Sequence, residues 1–344
     1  MGLAATASET VAEKRQPEFP SAVADLRALT ERDLEAVNRE ILARLDSPVS
    51  MIPELAGHLI NAGGKRLRPM LTLASARLFG YEGDNHIKLA AAVELIHGAT
   101  LLHDDVVDAS SLRRGASTAN IIWGNKESVL VGDFIFSRDF ELMVEAKNLD
   151  VLKSLSHASG VIAEGEVLQL TTQKNIAASF ETYIHVVRAK TAALFAAATE
   201  VGAQITDRAA DEKIAMRRFG EDFGVAYQLV DDALDYAGFE FALGKSVGDD
   251  FREGKMTAPV VFAIARAREE EKPFWHRVIA EGRQEPGDFE KACALMERDG
   301  AIADTLECAR DYTAKALDAL SLTPDNEFRD ALGALAATSI ARGS

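Results

Sequence analysis

The chain has 344 residues, 47% of them hydrophobic, and a net charge of −16. That is enough apolar material for one large core, and the acidic balance excludes a general nucleic-acid binder, which needs a surplus of Lys and Arg. Cys293 and Cys308 have neither a CxxC nor histidines at zinc spacing beside them, so no disulfide framework or structural zinc is expected, and a reducing, cytoplasmic setting fits.

Residues 1–20 read as a flexible extension. They have no apolar signal core, and Glu9 and Glu13 stand among their few charges; the match of Met1, Gly2 and Thr6 to a myristoylation pattern is of a kind that arises by chance. Helical periodicity then runs over 21–46, 66–79, 86–108, 126–146, 150–172, 178–204, 209–236, 257–270, 285–297, 302–319 and 325–342. Gly or Pro marks the breaks, among them Gly63-Gly64, Gly80, Gly115, Gly124, Gly238, Gly244 and Pro324. Strand-like alternation never lasts, no Ser/Pro-rich linker divides the chain, and no apolar run reaches membrane-spanning length. Residues 89–102 and 191–203 are apolar nearly all round, as helices inside a bundle are. One all-α domain over 21–344, a bundle of ten or more mostly antiparallel helices, is expected.

Two of these helices end in the same acidic pattern, DDxxD: Asp104, Asp105 and Asp108, then Asp231, Asp232 and Asp235. At about 3.6 residues per turn the first and last Asp of each triplet stand on one helix face. A single such triplet in an acidic chain reads as a solvated helix end. Two, each closing an apolar helix, need a cation to offset their repulsion. Many hard carboxylate oxygens suit Mg2+, which also takes phosphate oxygens from a substrate. The interval of 231 − 104 = 127 residues leaves room for antiparallel helices to bring both triplets to one mouth.

Basic residues stand where diphosphates would need them. Lys65, Arg66 and Arg68 follow Gly63-Gly64 at a helix start, where free N–H groups favour anions. Arg113-Arg114 follows the first triplet and can fold back over a bound anion. Lys245 and Lys255 follow the second in a Gly-rich stretch suited to closing over substrate. GFEFALGKS is no P-loop, since five residues separate Gly238 from Gly244 and a helix precedes it; GxGxxG, GxSxG and HExxH are absent.

GGKRLRP, DDVVD with RRG downstream, Lys190-Thr191, YQLVDDALD and the tail GKSVGDDFREGKMTAP together resemble the trans-polyprenyl diphosphate synthases over about residues 50–342. Tyr227 stands where that pattern has Phe, and Ala258 where it has Leu, leaving the charged set intact. The resemblance implies an isoprenoid-synthase bundle around a central catalytic cavity. It implies Mg2+ held by Asp104, Asp108 and Asp231, with Asp105, Asp232 and Asp235 as further metal candidates. Isopentenyl diphosphate would meet Lys65, Arg68, His97 and Arg114; the allylic diphosphate, farnesyl or similar, would meet Arg113, Lys190, Thr191, Gln228, Lys245 and Lys255. Among these, Asp104, Asp108, Asp231, Lys190 and Lys245 are the catalytic candidates. Family habit also implies a homodimer.

Product length would depend on an apolar tunnel along the Asp104 helix. Ala99 and Thr100 stand five and four residues before Asp104, where short-chain relatives carry bulky aromatics. Small residues here point to an octaprenyl to decaprenyl product, as for a quinone side chain, unless Phe134 and Phe136 point inward and shorten the tunnel. A shorter-chain synthase, a terpene cyclase and a regulatory subunit are the alternatives; the separate basic site and the two intact triplets weigh against the last two.

Overall fold

The computed structural model describes residues 18–61, 63–236 and 248–343. Its helices, in chain order, are α1 (Phe19–Arg44), α2 (Met51–Asn61), α3 (Leu67–Leu78), α4 (Asn85–Val107), α5 (Ala119–Ile122), α6 (Asn125–Glu145), α7 (Leu149–Thr172), α8 (Phe180–Val187), α9 (Ala193–Gln204), α10 (Ala210–Tyr236), α11 (Asp249–Glu253), α12 (Ala258–Arg266), α13 (Lys272–Trp275), α14 (Asp288–Arg298), α15 (Ala301–Leu320) and α16 (Glu327–Ser339). A π-helical turn, Arg188–Ala192, joins α8 to α9, and another, His276–Ala280, extends α13. The all-α class follows, with an antiparallel hairpin of β1 (Leu112–Arg113) and β2 (Ala116–Ser117) as the strand pairing among the described residues.

Every helix expected from periodicity has a counterpart, with ends agreeing to within four residues. The differences have local causes. Phe19 is buried and opens α1 with Pro20 in its first turn, so the expected extension gives way at residue 19. α2 was not expected because it contains Pro53 and Gly57, but a proline in the first turn removes an N–H that has no partner there anyway. The short α5, α11 and α13 are also additional, and α12 stops at Arg266 because Ala267 turns extended (ψ 132°). In the hairpin, Arg114 and Gly115 both have positive φ (54° and 79°), the backbone that a two-residue turn between right-twisted strands requires.

Small side chains let the helices close up. Ala90, Ala91 and Ala92 on α4 and Ala196, Ala197 and Ala198 on α9 are buried. α10 packs along α9 and α15, α4 along α6, and α3 along α9. A Cβ at Gly224 of α10 would stand 2.7 Å from Ala192 Cα, so the absent side chain lets α10 press on the π-helical turn. α10 also joins two apolar clusters, with Met216, Phe219 and Phe223 in one and Val225, Leu229 and Tyr236 in the other. Among the described residues no helix is long and apolar enough to cross a membrane.

Candidate active site

Both acidic triplets reach one cavity of about 1400 Å3. Asp104 comes from α4, Asp108 from its C-cap, and Asp231, Asp232 and Asp235 from the last two turns of α10. All five line the cavity, together with Lys65, Arg68, His97, Thr100, Arg113, Arg114, Lys190, Thr191, Gln228 and Lys255. Two of the expected residues stand apart. Asp105 is buried and turned to Arg113, whose Nη2 and Nε donate to its Oδ1 at 2.7 and 3.0 Å. Ala99 has no exposed surface and packs in the core behind the cavity wall. Lys245 lies outside the described residues, as do Gly238 and Gly244. Phe134 lies under the Arg138 guanidinium and Phe136 against Phe140, and neither reaches the cavity wall.

Electrostatics divide the carboxylates into distinct situations. Burial pushes the Asp104 carboxyl up to about 7, opposed by Lys190 and reinforced by Glu166. Asp232 is pushed up to about 8 by burial and then by Asp250, although Tyr183 Oη and Gln228 Nε2 donate to its two oxygens at 2.6 and 2.7 Å. Asp235 is pushed up to about 6 by burial and by Asp250, while accepting backbone N–H bonds from Gly248 and Asp250, each at 3.1 Å. These are desolvated acids that ionise readily only beside positive charge. Among the described residues no three acidic, His or Cys side chains are grouped so as to hold a metal unaided. A cation between the triplets would therefore need oxygens besides theirs.

The cations are arranged in two groups. In the first, Arg66 adopts the left-handed conformation at the start of α3 (φ 53°) and pairs with Glu94. The next turn carries Arg68 over the Phe195 ring at 4.2 Å, with Nη1 donating to His97 Nε2 at 3.3 Å. Burial, and then the charge of Arg68, holds His97 well below its ordinary pKa, so the ring is neutral and accepts that bond. Burial, and then Arg342, lowers Lys65 to about 8. Gly64 makes room for Arg114: a Cβ there would stand 2.8 Å from its Nη1. The second group faces the triplets. Lys190 Nζ bonds Glu166 Oε2 at 2.7 Å, and Lys255 Nζ lies 3.7 Å from both Asp108 and Asp250. Burial alone would depress Lys255, but Asp250, Asp108 and Glu253 around it hold it above its usual value.

Lys190 and Thr191 project from the π-helical turn, a one-residue irregularity that commonly re-aims side chains at functional sites. Thr191 donates to Gln228 at 3.0 Å, so Thr191, Gln228, Asp232 and Tyr183 form one chain of hydrogen bonds. Tyr183, Glu166, Phe19 and Arg342 were not anticipated. Arg342 reaches Asp231 from the far end of the chain and lies over the Tyr227 and Phe19 rings at 4.4 and 5.0 Å. Glu166 carried a usable signal: with Gln169 and the C-cap residue Gln173 it continues a polar stripe along α7, and all three line the cavity.

The sequence profile of the polyprenyl synthetase family matches residues 49–296. The chain belongs to that family. It is therefore a prenyltransferase, and the cyclase alternative is set aside. Among its relatives, octaprenyl diphosphate synthase of Escherichia coli is 41% identical over 317 residues, covering 92% of this chain and 98% of the relative. A polyprenyl synthase from Caulobacter crescentus CB15, solved with calcium and isoprenyl diphosphate, is 51% identical with a TM-score of 0.90 over 94% of this chain and 98% of that one. A decaprenyl diphosphate synthase from Rhodobacter capsulatus is likewise 51% identical, with a TM-score of 0.90 over 94% of this chain and 99% of that one.

Proposed function

We propose that this single-domain enzyme condenses an allylic diphosphate, farnesyl diphosphate or a similar primer, with successive isopentenyl diphosphate units. The product would be an all-trans polyprenyl diphosphate of octaprenyl to decaprenyl length, for a quinone side chain. The observation that carries this reading is the convergence of two acidic triplets and two groups of cations on one cavity. The long-chain relatives support the product range, and so does the small side chain of Thr100 on the cavity wall.

The donor set fits Mg2+: hard oxygens on both sides of the cavity, desolvated and in want of positive charge. Asp104, Asp108 and Asp231 would hold it, and the bound ion would neutralise charge on the allylic diphosphate as it departs. Lys190, Arg113 and Lys255 add fixed cations around the same leaving group, stabilising it without reorganisation. Lys65, Arg68 and Arg114 hold the second diphosphate, with neutral His97 keeping Arg68 in place. As the allylic C–O bond breaks, the isopentenyl double bond supplies the electrons of the new C–C bond, and the proton it then loses passes to the departed diphosphate. Leu101, Ile162 and Val187 line the cavity beside the reacting centre and exclude water from the cation.

Exposed apolar side chains on α5, α6 and the start of α7 fit a homodimer: Ile121, Leu130, Phe140, Val144 and Leu149. Unpaired Cys293 and Cys308 fit a reducing cytoplasm. Incubation with labelled isopentenyl diphosphate and farnesyl diphosphate tests the reading. Label should enter prenyl products only with Mg2+ present, and Asp104→Ala should abolish incorporation. Diphosphate release from farnesyl diphosphate without incorporation would contradict it.

A further inference from the structure

The short helix α11 ends on Gly254 in the left-handed conformation (φ 68°), one residue before Lys255. The turn is a Schellman motif: Gly254 N–H donates to Phe251 O at 3.1 Å and Lys255 N–H to Asp250 O at 2.9 Å. Gln284 Nε2 adds a second bond to Phe251 O at 2.7 Å. The carbonyls of Asp250 and Phe251 are thereby satisfied from nearby. Those of Glu253 and Gly254, which immediately precede Lys255, need donors from another element.

The C-terminal end of α7 supplies both. Gln173 Nε2 donates to Glu253 O at 2.8 Å, and Lys174 N–H donates to Gly254 O at 3.1 Å. Lys174 is itself left-handed (φ 62°), a conformation uncommon for a residue with a side chain. A Cβ at Gly254 would stand 3.2 Å from Lys174 Cγ, so the absent side chain lets the two turns close on each other. With its backbone fixed in this way, Lys255 holds its Nζ 3.7 Å from Asp108 at the end of α4 and 3.7 Å from Asp250. One lysine thus spans from the first acidic triplet to the residues that follow the second, and its backbone is anchored by a helix that carries neither. Gln173 lines the cavity, yet its amide nitrogen is turned to the backbone at residue 253.

We propose that Gln173 is a positioning residue for Lys255: by holding the Glu253 carbonyl it sets the depth at which the ammonium meets the allylic diphosphate. The inference rests on the reading above that Lys255 takes that diphosphate. It gives Gln173 no contact with substrate; the amide acts on the backbone, and the backbone aims the lysine.

The test is the Kd of farnesyl diphosphate with Mg2+ present and isopentenyl diphosphate left out, so that no chain grows. Calorimetry would compare the wild-type protein, Gln173→Ala, Lys255→Ala and the double variant. Losing the one hydrogen bond should weaken binding by Gln173→Ala about three- to tenfold. Lys255→Ala should weaken it at least as much, and adding Gln173→Ala to Lys255→Ala should weaken it no further. The Kd of isopentenyl diphosphate should stay at its wild-type value in Gln173→Ala, which a general loosening of the fold would not allow. Gln173→Met keeps the length without the donor, and it carries the test if the alanine variant does not fold. Equal weakening by the Gln173 substitution with and without Lys255 overturns the inference, since Gln173 would then act on the ligand itself. A wild-type Kd in the single Gln173 variants overturns it too. If Lys255→Ala binds farnesyl diphosphate as the wild type does, the assignment of Lys255 to that diphosphate falls, and this inference with it.

Discussion

The hydroxyl of Tyr183, buried beneath the second acidic triplet, donates a 2.6 Å hydrogen bond to Asp232, whose other oxygen takes Gln228 at 2.7 Å. Asp232 is thereby fixed on both sides, and the bonds continue through Gln228 to Thr191. Tyr183→Phe keeps the ring, stacked on Phe180 at 5.7 Å, and removes the donor. The expected result is an up to roughly tenfold fall in kcat with smaller change in KM, since one hydrogen bond is worth about 0.5–1.5 kcal/mol. Steady-state kinetics with both substrates check it; an unchanged kcat would show that Gln228 alone holds Asp232.

Arg342 brings the end of the chain to the cavity mouth, pairing with Asp231 and lying beside Lys65. Arg342 and Arg114 both help hold Lys65 below its ordinary value here, a crowding of cations that suits a doubly charged anion better than an empty site. Arg342→Ala should raise KM for isopentenyl diphosphate about tenfold, leave KM for the allylic substrate nearly unchanged, and move the melting temperature little. Equal effects on both KM values would contradict the division of the cations into two groups.

Gly224→Ala tests how the π-helical turn is held. The added methyl would stand 2.7 Å from Ala192 Cα and 3.0 Å from its Cβ, so α10 and the turn must separate. Overpacking of this kind costs about 1–3 kcal/mol. Because Lys190 and Thr191 ride on that turn, activity should fall more than stability; thermal unfolding and kcat/KM measured on one preparation separate the two.

Asp139 gives stability a pH dependence of defined sign. Burial pushes its carboxyl up to about 8 in the folded chain, against about 4 when unfolded. Between those values the folded state binds the extra proton, so its contribution to stability is present at low pH and is lost as pH rises from about 4 through 8. Asp139→Asn removes that slope. Denaturant unfolding from pH 5 to 9 should show a shallower decline for the variant; parallel curves would mean the acid finds a partner on folding.

The positions of the helices were legible because Gly and Pro fall at their ends and the apolar period is long. α2 was not, since Pro53 and Gly57 look like breaks until the proline is seen in a first turn. Nor was the π-helical turn, because Arg188–Ala192 keeps helical composition and only packing against Gly224 marks it out. In the site, the charged residues stood out by spacing. Their partners did not: Tyr183 reaches Asp232 across 49 residues and Arg342 reaches Asp231 across 111, and a lone polar residue on a helix carries no spacing to read. Asp105 is a third case: its spacing made it a metal candidate, and only the fold shows its carboxylate buried and accepting from Arg113 of the hairpin.

Elongation to a long product is tested most directly by the length of the chains made from farnesyl diphosphate and excess isopentenyl diphosphate with Mg2+ present. Polyprenyl diphosphates of octaprenyl to decaprenyl length are expected. Products that stop at geranylgeranyl diphosphate would contradict it, and would mean that the path below Thr100 closes after a single addition.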